Sequence, residues 1–184
     1  MKGKAPTNLE CALLGLLHGQ PQSGYDLRKI FATTAMGNYS SSPGAIYPAL
    51  KRLEARGLVT SEIDSTNEMR PRKVLTPTAR GKTLFRDWLR ADFSAEDIDR
   101  RFDQLMLKFA FHWVLDDLGE SHDFLAALAS GLDVSVRSLE AQRNMFPEQM
   151  PIQPRLALDQ GIGQTKAAAR WARKALSQIK EEMS

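Results

Sequence analysis

SSPGAIYPALKRLEARGLV, Ser41 to Val59, carries the signals of one helix from start to stop. Serine before proline is the pattern of an N-cap and a first helical position, so Ser42 and Pro43 predict the opening. Gly57 predicts the close, where a left-handed residue is wanted. Between them Ile46, Leu50 and Leu53 recur at i, i+4 and i+7 with Ala49 beside them, one face made for a core. The other face offers Gly44, Pro48, Lys51, Arg52 and Ala55, which are small or positively charged. Such a helix suits the major groove of duplex DNA: small side chains let it approach base edges, and cations meet phosphates. Ser41 and Ser42 add hydroxyls at the helix start, where free backbone N–H groups also favour an anion. Tyr47 flanks the same face, within reach of backbone or sugar.

The flanking sequence supplies a frame. A first helix is expected from Thr7 or Asn8 to His18, with Leu9, Leu13, Leu16 and Leu17 on one face. GQPQSG then breaks the chain, and Ser23 with Asp26 three residues on predicts a capped second helix carrying Leu27, Ile30 and Phe31. TTAMGNYS reads as a turn-rich connector to the Ser41–Val59 segment. After Gly57 the period changes: LVTSEID and RPRKVL are short strands joined by the polar STNE, with Leu58, Val59 and Ile63 as the apolar positions. Arg70, Arg72 and Lys73 sit near the tip of that hairpin, where cations enter a minor groove or clamp phosphates. A further helix from about Thr78 carries Leu84, Phe85, Trp88 and Leu89. Three helices, a basic third helix and a basic hairpin form a winged helix-turn-helix.

At these residues the sequence resembles the PadR family of bacterial transcription regulators. ALLGLL (Ala12–Leu17), SGYDL (Ser23–Leu27), SPGAIYPALKRLEARGLV (Ser42–Val59) and RPRK (Arg70–Lys73) match that family in order and spacing across residues 9–90. The resemblance implies a homodimeric winged-helix repressor whose two recognition helices enter adjacent major grooves of a pseudo-palindromic operator. It also implies release by a small, often aromatic effector. Ser42, Tyr47 and Lys51 fall on the family's recognition helix, and Arg70, Arg72 and Lys73 on its wing. The wing departs from the family at Met69, where glycine is usual, at Val74 and Leu75, where aromatics are usual, and at Pro77.

Beyond residue 90 the sequence is helical throughout. Ser94 with Asp97 predicts a helix carrying Ile98, Phe102, Leu105, Met106, Phe109 and Trp113 on one side. DDLGES interrupts it, and a helix from Ser121 follows with Phe124, Leu125, Leu128, Leu132, Val136 and Leu139. In the last helix Leu158, Ile162, Thr165, Ala169, Ala172, Leu176, Ile179 and Met183 alternate spacings of four and three, a heptad seam. Packing on its own chain and pairing between subunits both explain such a seam. The second is preferred because an uncovered seam would leave a large apolar patch. Leu158, Ile162, Ala169, Ala172, Leu176 and Ile179 are therefore the expected dimer contacts. The fold class expected is mainly α: a winged-helix DNA-binding domain over residues 1–90 and an α-helical dimerisation domain over residues 91–184.

Charge agrees with this division. Residues 1–82 hold 12 Lys and Arg against 6 Asp and Glu, a net of +6; residues 83–184 hold 13 against 16, a net of −3. An anionic partner for the first half follows. The chain lacks an apolar run long enough for a membrane span, and its first residues lack a signal-peptide core. The single cysteine, Cys11, lies in the apolar LECALLGLL and reads as a buried thiol in a reducing cytoplasm. Nucleophile elbow, P-loop and paired Cys-x-x-Cys are all absent, so no catalytic residue, cofactor or metal is expected. His112 and Asp116, four apart on an expected helix, are the one pair an enzyme would use, and a third ligand is missing nearby. The aromatics Phe85, Trp88, Phe93, Phe102, Phe109, Phe111, Trp113, Phe124 and Trp171 read mainly as core, with an effector cavity among them as the functional alternative. A winged helix that docks on an acidic protein is the other rival to DNA binding.

Overall fold

The computed structural model describes residues 6–39, 43–64, 72–145 and 151–184. The chain forms two compact units, Met1–Ala91 and Asp92–Ser184. No helix among the described residues is long and apolar enough to cross a membrane.

In the first unit, helix α1 (Asn8–Gly19) opens on a capping box in which Thr7 and Glu10 satisfy each other's backbone N–H groups. Cys11, Ala12, Leu13, Leu14 and Leu17 are all buried, so α1 is covered on most sides rather than along one stripe. A second capping box, Ser23 with Asp26, starts α2 (Gly24–Thr33), whose Leu27 and Phe31 reach the core. A 3-10 turn at Ala35–Tyr39 leads to α3 (Pro43–Ala55). The end of α3 is set by Gly57, at φ +65°. Leu58 N–H bonds back to the Leu53 carbonyl at 2.9 Å and Gly57 N–H to that of Glu54 at 2.9 Å, the paired closure of a Schellman turn. Leu53 and Leu58, the apolar pair that accompanies this turn, are both buried.

The hairpin pairs β2 (Val59–Asp64) with β3 (Arg72–Pro77), in register from Val59 opposite Pro77 to Asp64 opposite Arg72. Ile63 is 72% exposed, so only the base of β2 contributes to the core. A third strand, β1 (Gln22–Ser23), lies on the other edge of β3, giving the order β1-β3-β2. It occupies the segment that reads as a break, because Gln22 and Ser23 pair with Leu75 and Val74. Helix α4 (Ala79–Arg90) is capped by Thr78, whose hydroxyl accepts from Gly81 N–H and donates to the Gly57 carbonyl. Cap and Schellman turn are thereby tied together.

In the second unit, the single helix expected from Ser94 to Trp113 is two helices and a turn. The Ser94–Asp97 box starts α5 (Ala95–Arg100), Arg101 leaves helical geometry at ψ 32°, and α6 (Phe102–Ala110) follows. A 3-10 turn, His112–Leu115, ends at Asp116 in the left-handed region. The turn buries Phe111, His112, Val114 and Leu115 and leaves Trp113 57% exposed, so Trp113 is not a core residue. Helix α7 (Leu118–Met145) and helix α8 (Ile152–Glu182) pack lengthwise. Ion pairs Arg143–Asp159, Lys166–Glu140 and Arg173–Asp133 fix them as antiparallel. Leu105, Phe124, Leu128 and Leu132 meet Ala169 and Ala172 in the core, with Ile98 of α5.

Candidate nucleic-acid interface

Helix α3 separates its two faces. Ile46, Ala49, Leu50 and Leu53 are buried, whereas Gly44, Tyr47, Pro48, Lys51, Arg52 and Ala55 face solvent. Pro48 stands inside the helix on the exposed side, away from the packed stripe. Tyr47 leans on the start of α2: a Cβ built at Gly24 would lie 2.9 Å from Tyr47 Cε1, so a side chain there would displace the ring. The ring, Ser23, Gly24, Tyr25, Arg72 and Lys73 line a recess of about 310 Å³. The start of α2, the side of α3 and the first residues of β3 thus converge on one hollow with a cationic rim. Its size and chemistry suit a phosphate and its sugar.

Tyr25 was not among the expected site residues. It is 58% exposed, with the Arg28 guanidinium 5.5 Å from its ring centre. Its signal in the sequence is its place in the first turn of a capped helix, off the stripe of Leu27 and Phe31.

Of the sequence-predicted site residues, Tyr47, Lys51, Arg72 and Lys73 lie together on this surface. Two cations carry internal partners. Lys73 Nζ donates to Glu54 at 3.1 Å, and Ser61 Oγ donates to the same carboxylate at 2.6 Å. The bond from Ser61, then that from Lys73, holds the Glu54 carboxyl below the usual carboxylate range. Arg52 Nε donates to Glu10 at 2.8 Å, while its side chain stays 53% exposed. Ser41, Ser42 and Arg70 lie outside the described residues, as does the STNE tip.

Residues 13–87 match the model of the transcriptional regulator PadR-like family, a span that contains α2, α3 and the hairpin. Over those residues the chain resembles that family. Among characterised relatives, the negative transcriptional regulator PadR of Bacillus subtilis is 35% identical over 81 residues, 44% of each chain. The transcriptional regulator YqjI of Escherichia coli is 38% identical over 52 residues, 28% of this chain and 25% of that one. The chain thus spans less than half the length of either PadR or YqjI. Among solved structures, Bacillus subtilis PadR in complex with operator DNA is 26% identical, with a TM-score of 0.43 over 93% of this chain and 98% of that one. The same PadR in complex with p-coumaric acid is 24% identical, with a TM-score of 0.43 over 98% and 99%. The PadR-like family is one of regulators rather than enzymes.

The expected dimer contacts differ in how far their own chain covers them. Ile162, Ala169 and Ala172 are buried against their own chain, where Ala169 and Ala172 belong to the α7–α8 core. Leu158, Leu176 and Ile179 are half-buried. Helix α7 thus covers the middle of the seam, while Met183 at its end is 52% exposed. Exposed apolar residues remain elsewhere on the pair, at Val134, Ile152 and Leu156.

The aromatics divide between the units. Phe85 packs with His18 and Trp88 in the first, and Phe109 packs with Phe124, His112 and Trp171 in the second. His112 and Asp116 are not one turn apart on an α-helix, because a 3-10 turn and a left-handed residue separate them. His112 is buried edge-on to Phe124, its Nδ1 3.4 Å from Ser121 Oγ and its Nε2 without a hydrogen-bond partner among the described residues. Burial lowers its pKa to about 4, so it is neutral at pH 7. An open groove of about 770 Å³ runs between α5 and the α7–α8 pair, lined by Ile98, Phe102, Leu132, Leu139 and Ala168 with Ser135 and Gln164.

Proposed function

We propose that the chain is a DNA-binding transcriptional repressor that acts as a homodimer in the cytoplasm. The observation that carries this is the exposed face of α3, slim and cationic beside the Arg72–Lys73 strand, in a chain whose residues 13–87 match the PadR-like family. Lys51 and Arg52 meet phosphates along the groove, Tyr47 and Tyr25 reach sugar or backbone, and Arg72 and Lys73 hold the neighbouring strand. Ser41, Ser42 and Arg70 extend the same surface by sequence. Two copies bind a pseudo-palindromic operator with half-sites one helical turn apart, and occupancy excludes polymerase.

Dimerisation is assigned to three of the apolar residues that the α7–α8 pair leaves exposed, Val134, Ile152 and Leu156. A small aromatic effector occupies the α5–α7–α8 groove and favours a spacing of the recognition helices that does not match the duplex. The Bacillus subtilis PadR being a negative regulator, and its structure with p-coumaric acid, support repression and an aromatic effector by likeness.

The decisive measurement is the affinity for a duplex selected from a randomised library, across a salt series. Binding that falls steeply with salt is expected. Lys51→Glu and Arg72→Glu should each weaken it by about thirtyfold, or roughly 2 kcal/mol, with unchanged melting temperature. If both variants bind as well as the parent, this face is not the DNA surface. Sedimentation of Leu156→Asp as a monomer would support the dimer contact, and a dimer of undiminished strength would remove it.

A further inference from the structure

We infer that Glu10, on α1, is a positioning residue for DNA binding: its buried carboxylate aims Arg52 of α3 at a phosphate. The inference rests on the DNA-binding function proposed above. Glu10 is the third residue of α1 and completes its capping box by accepting Thr7 N–H at 3.1 Å. A capping glutamate needs no more than that and is ordinarily solvated. Glu10 is instead 3% exposed and accepts from two cations of the α3 end: Arg52 Nε at 2.8 Å on one oxygen and Arg56 Nη1 at 3.4 Å on the other.

The exposures show what the pairing does. The Glu10 side chain is 4% exposed, Arg56 29% and Arg52 53%. A carboxylate this buried is costly without partners, so it binds the α3 end to α1 from within. Arg52 is held through Nε, the donor nearest its stem, which leaves the Nη donors at the outer end of a half-exposed side chain. A guanidinium has a fixed fork, so fixing one edge sets the direction of the other. Rotamer freedom that a loose arginine would lose on meeting a phosphate is already lost in the free protein. Lys51, one residue earlier, forms no ion pair among the described residues and meets DNA as a mobile charge.

The test compares parent, Glu10→Gln, Arg52→Gln, the double variant and Lys51→Gln on one duplex selected from a randomised library with the parent. Circular dichroism melts accompany each affinity. Glu10→Gln and Arg52→Gln should each weaken binding about tenfold, and the double variant should bind no more weakly than Arg52→Gln. Glu10→Gln combined with Lys51→Gln should lose the product of the two single effects. A carboxylate that only stabilises the fold would lower the melting temperature and leave affinity unchanged or additive with Arg52→Gln; either result overturns the inference. Should Glu10→Gln fail to fold, Arg52→Lys serves instead, since it keeps the charge and lacks the fork. A tenfold loss there sustains the positioning role, and parental affinity refutes it. A parent that binds no duplex removes the proposed function and this inference together, whereas a parent that binds with additive losses removes only the role of Glu10.

Discussion

Small residues line both the solvent face of α3 and the packed stripe of α8, and they do opposite things. On α3, Gly44, Pro48 and Ala55 look outward and leave the helix thin on the side where Lys51 and Arg52 stand. On α8, Ala169 and Ala172 are almost wholly buried and let α7 come close along its length. A small side chain marks a place where something approaches closely. Burial decides whether that something is the chain's own helix or a partner from outside, and of these two faces that of α3 is the one exposed to solvent.

This contrast can be broken by adding bulk. The largest effect is expected at a buried glycine of α4: a Cβ at Gly81 would lie 2.0 Å from the Leu58 carbonyl oxygen, and backbone cannot step aside. Gly81→Ala should destabilise the first unit by about 3 kcal/mol in a denaturant titration. Ala172→Leu should cost the second unit about 2 kcal/mol, while Ala55→Leu on the open face of α3 stays within about 0.5 kcal/mol. Equal losses at the two alanines would mean that α3 is covered as α8 is.

Acid should also discriminate between the units. His112 is neutral when folded, with a pKa near 4, and takes up a proton near 6.5 when unfolded. Its contribution is fully present above about pH 6.5 and is lost as pH falls toward 4, on the order of 1–2 kcal/mol. Unfolding followed by the fluorescence of Trp113 and Trp171 should show this slope, and His112→Leu should flatten it. The smallest effect is reserved for Gly131 on α7, where a Cβ would meet only the tip of Ile98 at 2.1 Å. A rotamer change there costs about 1 kcal/mol, and alanine returns about as much through helix propensity, so Gly131→Ala should be near neutral.

Much of the first unit was legible in advance because its signals are local. Thr7 and Ser23 cap helices through residues three positions away, and Gly57 closes α3 through a turn that only a left-handed residue completes. The two faces of α3 follow from its spacing alone. The rest depended on residues distant in the chain. Strand β1 is two residues long and exists only through pairing with β3, more than fifty positions on. The break at Arg101 turns the α6 segment so that Phe111 and His112, not Trp113, enter the core.

What the amino-acid order settled alone was where the capped helices begin, where α3 ends, which side of α3 is apolar and where positive charge gathers, since each rests on neighbours within a turn or two. What only the folded chain decided was the company each face keeps. The middle of the α8 seam packs on α7, and the acid that caps α1 reaches two arginines some forty residues away. Periodicity states that a face will be covered. The covering partner is chosen by the sum of all burial in the molecule, a quantity that no short window of sequence contains.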